Sequence, residues 1–317
     1  MIAALSLFFC TLPLSWAMAV GKALGWVWYY LLPIRRRVAL DNVERALGDS
    51  TTHSERRRIV RRCFQHLTMM AVESLRMPTL TEELSKELVR REHFDPFLDA
   101  LGRGKGMIVV LAHLGNFEML AATSGMRGLS VNAVVKDLKM KSVNRFVSEV
   151  RRRTNYKTVP PRRSKDQIRA LLAQGETVCV LVDQHMGRHR SVVCEFFGQL
   201  ASTSPAPARF AFETGAPIFL CAMFREKKAG HHVARMEPEF HLETPSDDLQ
   251  ENIWHNTQRI NRVIEGWIRE RPDMWLWVHK RWKVHDNPEG WEIPPALAHL
   301  CQDGPAHLEN TPSRQMG

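Results

Sequence analysis

Charge is missing where the chain begins. From Met1 to Ala19 there is none, and no Lys or Arg precedes Lys22. A cleavable signal peptide wants a basic stretch ahead of its apolar core, so this start fits one poorly, although Ala17-Met18-Ala19 resembles a cleavage site. The six cysteines (10, 63, 179, 194, 221 and 301) form no CxxC pair. Scattered thiols, several within apolar runs such as TVCVLV, argue against a disulfide framework and against a zinc site; they read as buried free thiols in a reducing compartment. There is no G-x-S-x-G elbow, no GxxxxGK[ST] loop and no GxGxxG after a strand. The commonest serine-hydrolase and nucleotide-binding designs are therefore disfavoured. Internal repeats are also lacking.

What is present starts with an apolar N-terminus. Residues 1–34 carry a single interruption at Lys22, contain Pro13, and end in GWVWYYLLPI before Arg35-Arg36-Arg37. Such a segment is long enough to span or to lie in a bilayer. Trp26, Trp28, Tyr29 and Tyr30 suit the lipid–water interface, and the arginines suit the cytoplasmic side. Residues 1–34 are thus expected to be a membrane-anchoring helix, with Pro13 a candidate kink. Of the 317 residues 44 are Lys or Arg and 34 Asp or Glu, a formal charge of +10. That balance favours anionic partners: nucleic acid, acidic lipid or an acidic carrier protein. Nine arginines against four acids in residues 35–62 fit a surface for anionic headgroups, or equally a solvated helix face.

The 44% of hydrophobic residues suffices for a full core. In ERRRIVRRCFQHLTMMAVESLRM the apolar positions recur at helical spacing until Pro78. From residue 105 short runs rich in Val and Ile appear: MIVVLA (107–112), VNAVV (131–135), TVCVLV (177–182) and PIFLCAM (217–223). Helical segments at 142–153, 165–173 and 205–214 separate them, and a long helix is expected over roughly 249–270, stopped by Pro272. This alternation predicts an α/β fold: a central, mostly buried mixed sheet flanked by helices. Residues 35–285 form the body. Residues 286–317, rich in Pro, His and polar groups without a clear period, are expected to be a peripheral tail open to disorder.

MIVVLA runs into His113-Leu-Gly-Asn-Phe-Glu118. Polar clusters at the carboxyl ends of buried strands are where α/β folds place sites. A histidine takes a proton from a hydroxyl, and a carboxylate orients the imidazole and stabilises its charged form. Five residues along a continuous helix would set the two side chains about 140° apart. The pair therefore meets only if His113 precedes the helix and Glu118 lies in its opening turns, with Gly115 and Asn116 making the break. The bland alternative is a strand-ending histidine and a glutamate favoured electrostatically at a helix N-terminus.

HLGNFE fits the H-x4-D/E signature of glycerolipid and lipid A acyltransferases. DQHMGRHRSVVCEFFGQLASTSPAPARFAFETGAPIF resembles a later block of the bacterial lipid A (late) acyltransferase family. RPDMWLWVHKRWK resembles its closing block and RRRVALDNVERALG its opening one. The resemblance covers roughly residues 20–283. It implies a glycerolipid acyltransferase-like fold and transfer of an acyl chain from a thioester, on acyl-carrier protein or CoA, to a hydroxyl of a glycolipid or lysolipid. The setting it implies is the cytoplasmic face of a bacterial inner membrane, with no metal and no resident cofactor. His113 would be the general base and Glu118 its orienting partner. Arg151, with Arg153 as runner-up, Asp183, Gln184 and Asn116 would serve substrate binding or the oxyanion.

The chain departs from the family where Asn155 stands for a frequent glycine, although Asn tolerates left-handed geometry. It departs again where His185 and Met186 follow the Asp-Gln pair, and in Ser202-Thr203-Ser204-Pro205 after FFG. These changes bear on acceptor and chain-length specificity. Other readings stay open: an acyltransferase for another lysolipid, a catalytically silent membrane-binding paralogue, or a basic nucleic-acid-binding protein. The last fares worst, because aromatics do not interleave with the basic runs. His231-His232 after Gly230 reads as a surface hairpin turn. Trp275, Trp277 and Trp282 read as packing residues, and His279, Arg281 and Lys283 as candidates for contact with an acidic headgroup.

Overall fold

The computed structural model describes residues 1–136 and 138–301. Pro13 divides the N-terminal apolar segment into α1 (Ile2–Thr11) and α2 (Leu14–Leu31). Two amphipathic helices follow, α3 (Arg36–Leu47) and α4 (His53–Arg76). Thr52 and Glu55 close a capping box at the start of α4, which satisfies amides that would otherwise lack partners. Pro78 sits just past the end of α4 in a short 3-10 turn. Then come α5 (Glu82–Leu88), β1 (Val89–Glu92) and α6 (Asp95–Leu101).

The chain next alternates: β2 (Met107–Leu111), α7 (Phe117–Met126), β3 (Val131–Val134), α8 (Lys141–Arg153), β4 (Tyr156–Val159), α9 (Lys165–Ala173) and β5 (Thr177–Leu181). A hairpin, β6 (Val192–Phe196) and β7 (Gln199–Thr203), interrupts this pattern. Its two-residue turn is Phe197-Gly198, both at positive φ, as a tight hairpin requires. The last elements are α10 (Ala206–Thr214), β8 (Ile218–Arg225), β9 (His232–Met236), α11 (Leu249–Glu270) and the short α12 (Lys283–Asp286).

Seven strands form one sheet in the order β1-β9-β8-β2-β5-β3-β4. Neighbours are parallel except β8 and β9. The mixed, largely buried sheet expected from the sequence is present. β2 is buried at every position, because helices cover both of its faces. Its register with β5 runs Met107 to Thr177 through Leu111 to Leu181. Two residues beyond that last pair, on both strands, stand His113 and Asp183.

The N-terminal segment differs from a single anchoring helix. Among the described residues no helix is long and apolar enough to cross a membrane. α2 instead lies along α4 through Ala17, Met18, Gly21, Gly25 and Tyr29. Gly25 is needed there: a Cβ would stand 2.3 Å from the Gln65 Cα. The opposite face leaves Trp16, Leu24, Trp26 and Leu31 exposed, as α1 leaves Leu5, Leu7 and Phe8. At the other end of the chain, Leu297 and Leu300 are buried against Val193, Leu200 and Val284. The rest of the expected tail, residues 302–317, lies outside the described residues.

Candidate active site

The site is assembled at the carboxyl edge of β2 and β5. His113 lies on the connection leaving β2, and α7 begins at Phe117. Helix is thus broken between His113 and Glu118, as their spacing demanded. Gly115 makes the break at φ 66, where a Cβ would sit 1.6 Å from the Met223 carbonyl oxygen. Asn116 caps α7: its Oδ1 accepts from the Met119 amide at 3.0 Å. Leu114 bridges to Trp275, and the Leu276 amide donates to the His113 carbonyl.

The two ends of this segment have different partners. Nδ1 of His113 lies 2.7 Å from Oδ1 of Asp183, and the His113 amide donates to Oδ2 at 2.8 Å. Trp275 Nε1 donates to the same Oδ2 at 2.7 Å. Burial alone would push the Asp183 carboxyl up; the adjacent imidazole and these hydrogen bonds outweigh it and hold the group at about 2. An ionised Asp183 accepts from Nδ1–H, so the neutral ring carries its lone pair on Nε2. The His113 side chain keeps 17% exposure while that of Asp183 keeps 1%. The arrangement offers a basic nitrogen outward, backed by a dry carboxylate.

Glu118, expected as the partner of His113, is instead gripped by Arg151. Arg151 Nε and Nη2 meet the two carboxylate oxygens at 3.2 and 2.5 Å. The Arg151 guanidinium also lies over the Tyr156 ring, 4.9 Å from its centroid. A bidentate guanidinium fixes the plane and position of a carboxylate, which explains why Glu118 does not turn toward the imidazole. Arg153 points elsewhere, donating to Glu149 in solvent. Gln184 is half-buried beside Asp183. Asn155 holds φ 51, the left-handed geometry its position calls for.

A buried charged cluster, not apparent from the sequence, lies behind the segment. Glu73 of α4 receives both terminal nitrogens of Arg225, at 2.5 and 2.7 Å, and His232 Nε2 at 3.0 Å. Its Oε2 also accepts from Asn116 Nδ2 at 2.8 Å. Burial works against the Glu73 charge, but His232, Arg225 and their hydrogen bonds hold the carboxyl well below the usual range. Beside them His66, which approaches the Gly115 backbone, is driven by burial and by Arg225 to about 3 and is neutral. His232 opens β9 and is fully buried, and His231 is nearly so. The surface-turn reading of this pair is thereby corrected: the turn itself is Lys227–Gly230, and His232 faces Glu73.

The residues after Asp183 are pinned as well. The His185 amide donates to His279 Nε2 at 3.0 Å, and the Met186 amide to Ser202 Oγ at 3.0 Å. Ser202 Oγ lies 2.9 Å from His185 Nδ1. Burial takes His279 down to about 4, which keeps Nε2 free to accept. Arg281 is wholly buried, bonding the Ser202 carbonyl and, at 2.7 Å, Thr203 Oγ1. It supports the hairpin from within and cannot meet a headgroup. Trp275, Trp277 and Trp282 are buried as expected, but Trp275 also serves Asp183.

The chain matches the family of bacterial lipid A biosynthesis acyltransferases over residues 1–284. It belongs to that family. Being a member, it is an acyltransferase. Several curated acyltransferases are similar to it at low identity. Over 282 residues it is 24% identical to the lipid A biosynthesis lauroyltransferase of Escherichia coli, covering 86% of each chain. It is 23% identical over 269 residues to the palmitoleoyltransferase of the same organism, covering 84% of each. It is 25% identical over 214 residues to a phosphatidylinositol mannoside acyltransferase of Mycolicibacterium smegmatis, covering 66% of this chain and 67% of the other.

Proposed function

We propose that this acyltransferase moves a fatty acyl chain from a thioester, on acyl-carrier protein or CoA, to a hydroxyl of a membrane glycolipid such as a lipid A precursor. The carrying observation is the His113–Asp183 pair, with Nε2 turned outward from a buried carboxylate. His113 takes the acceptor proton at Nε2 while Asp183 holds the ring and stabilises the imidazolium. The alkoxide oxygen attacks the thioester carbonyl carbon, and the carbonyl electrons move to oxygen. Collapse of the tetrahedral species breaks the C–S bond, and the departing thiolate takes the proton back from Nε2. Glu118 and Arg151 act as a fixed polar contact for substrate, not as the partner of the base.

The acceptor class rests on the relatives' names, which share a lipid bearing a sugar. An apolar cavity beside α7, walled by Leu14, Met77, Leu80, Leu84, Leu88 and Met119, suits an alkyl chain. Membrane association rests on the exposed apolar and aromatic face of α1 and α2 and on the arginines that follow. Labelled acyl thioester is to be given to the purified full chain with lipid extracts, and the products read by mass spectrometry. Acylated glycolipid is expected from the wild type, and a loss of roughly 10³-fold with His113→Ala. Unchanged transfer in that variant removes the proposed base. Acylation of glycerophospholipid alone replaces the acceptor.

A further inference from the structure

We propose that Leu138 and Met140, between β3 and α8, form a second contact with an anionic lipid bilayer, set at the mouth of the site and separate from the N-terminal helices. The inference rests on the reading that the enzyme works on a membrane lipid. Leu138 is 43% exposed and Met140 60%, among the largest apolar exposures outside α1 and α2. Lys136, Lys139 and Lys141 flank them, all exposed, against one acid in the same stretch of sequence, Asp137. Single exposed apolar residues are ordinary, but two of them interleaved with three cations suit the headgroup boundary: alkyl groups enter while ammonium groups meet phosphate.

Topology gives this pair its meaning. β2, β3, β4 and β5 are parallel, so their outgoing connections share one edge of the sheet. His113 leaves β2, Asp183 leaves β5, and Leu138 and Met140 follow β3 on that same edge. The connection after β4 adds exposed Arg162 and Arg163. The Leu138 amide donates to Asn144 Oδ1 at 2.9 Å, which ties the apolar pair to the first turn of α8. The last turn of α8 carries Arg151 to Glu118. α8 also packs against α1, whose Leu5, Leu7 and Phe8 are exposed. The Ser6 hydroxyl of α1 donates to the Leu75 carbonyl, two residues from Glu73 and its bond to Asn116. The apolar surface of α1 and the Leu138–Met140 pair therefore border one site from neighbouring elements. In this arrangement the strand-end edge that carries His113 and Asp183 faces the bilayer.

The test uses the purified full chain and vesicles of phosphatidylethanolamine with phosphatidylglycerol, against vesicles of phosphatidylcholine, read by co-sedimentation. Leu138→Asp with Met140→Asp is expected to weaken binding to the anionic vesicles about tenfold or more. Leu249→Asp, at a residue 48% exposed on α11, is the matched control and is expected to bind as the wild type does. Acyl transfer to acceptor held in vesicles should fall with binding, and recover when the acceptor is dispersed in detergent. The proposal is overturned if the double variant binds like the wild type or if Leu249→Asp weakens binding equally. It is also overturned if Lys136, Lys139 and Lys141 changed to Ser lose binding while the double variant does not, since the apolar pair then inserts nowhere. The His113→Ala variant separates the two readings. If it binds vesicles normally and transfer is never seen even in the wild type, the acyl-transfer reading falls while the docking result stands.

Discussion

Two polar pairs stand at the two ends of one six-residue segment, and they are built for different work. At one end the His113 imidazole rests on a dry carboxylate and turns its second nitrogen outward. At the other, Glu118 and Arg151 satisfy one another through two parallel bonds. The first pair can accept a proton because only one partner is fully committed. The second has its charges already cancelled, and what it keeps is a fixed shape. Chemical capacity at a site thus depends on what each group has left to give after its structural bonds are counted. The buried cluster around Glu73 grips the segment between them through Asn116.

The comparison breaks most sharply at Asp183. Asp183→Asn keeps the shape but removes the charge that fixes the tautomer and steadies the imidazolium. Steady-state kinetics should show kcat falling roughly 10³-fold with KM little changed. A loss no greater than that of Glu118→Gln would erase the distinction between the pairs.

Next in size is Glu73→Gln, which leaves the largely covered Arg225 without its counter-charge. It should cost about 3 kcal/mol of stability in denaturant unfolding. In the material that remains folded, kcat should drop as the segment loosens.

Smaller again is the coupling between Glu118 and Arg151. Changing each to Gln, singly and together, should give a coupling of about 1–2 kcal/mol in kcat/KM. The double change should be little worse than either single one.

The smallest effect, taken per pH unit, is on acid stability. His66 and His279 are held by burial at about 3 and about 4, against 6.5 in the unfolded chain. Between these values the unfolded chain binds protons that the folded one refuses, so stability falls as pH drops below 6.5. Each contributes on the order of 1 kcal/mol per pH unit, down to about pH 4 for His279 and about pH 3 for His66. His279→Gln should flatten the slope of melting temperature against pH between 6 and 4.

Much of the frame was legible in residue patterns. The runs at 107–112, 131–135, 177–182 and 217–223 are β2, β3, β5 and β8, and the separating helices start and stop within a residue or two of their expected bounds. Apolar period and Pro placement are local properties that a chain carries wherever it folds. The break between His113 and Glu118 was also readable, since Gly115 and Asn116 announce it. The partner of His113 was not, because spacing suggests neighbours in sequence and Asp183 stands 70 positions away.

Glu73, Arg225 and His232 were equally hidden, each an ordinary polar or charged residue in its own segment until folding brings them together, with Glu73 and His232 buried and Arg225 largely covered. The N-terminus shows the same limit. Its composition announced affinity for lipid, but Gly21 and Gly25 against α4 decided that α2 lies along the body. The sequence by itself therefore determined the elements, the break at the motif and the family. Only the tertiary structure decided which carboxylate serves the histidine, because the parallel register pairing Leu111 with Leu181 brings both strand ends to one place.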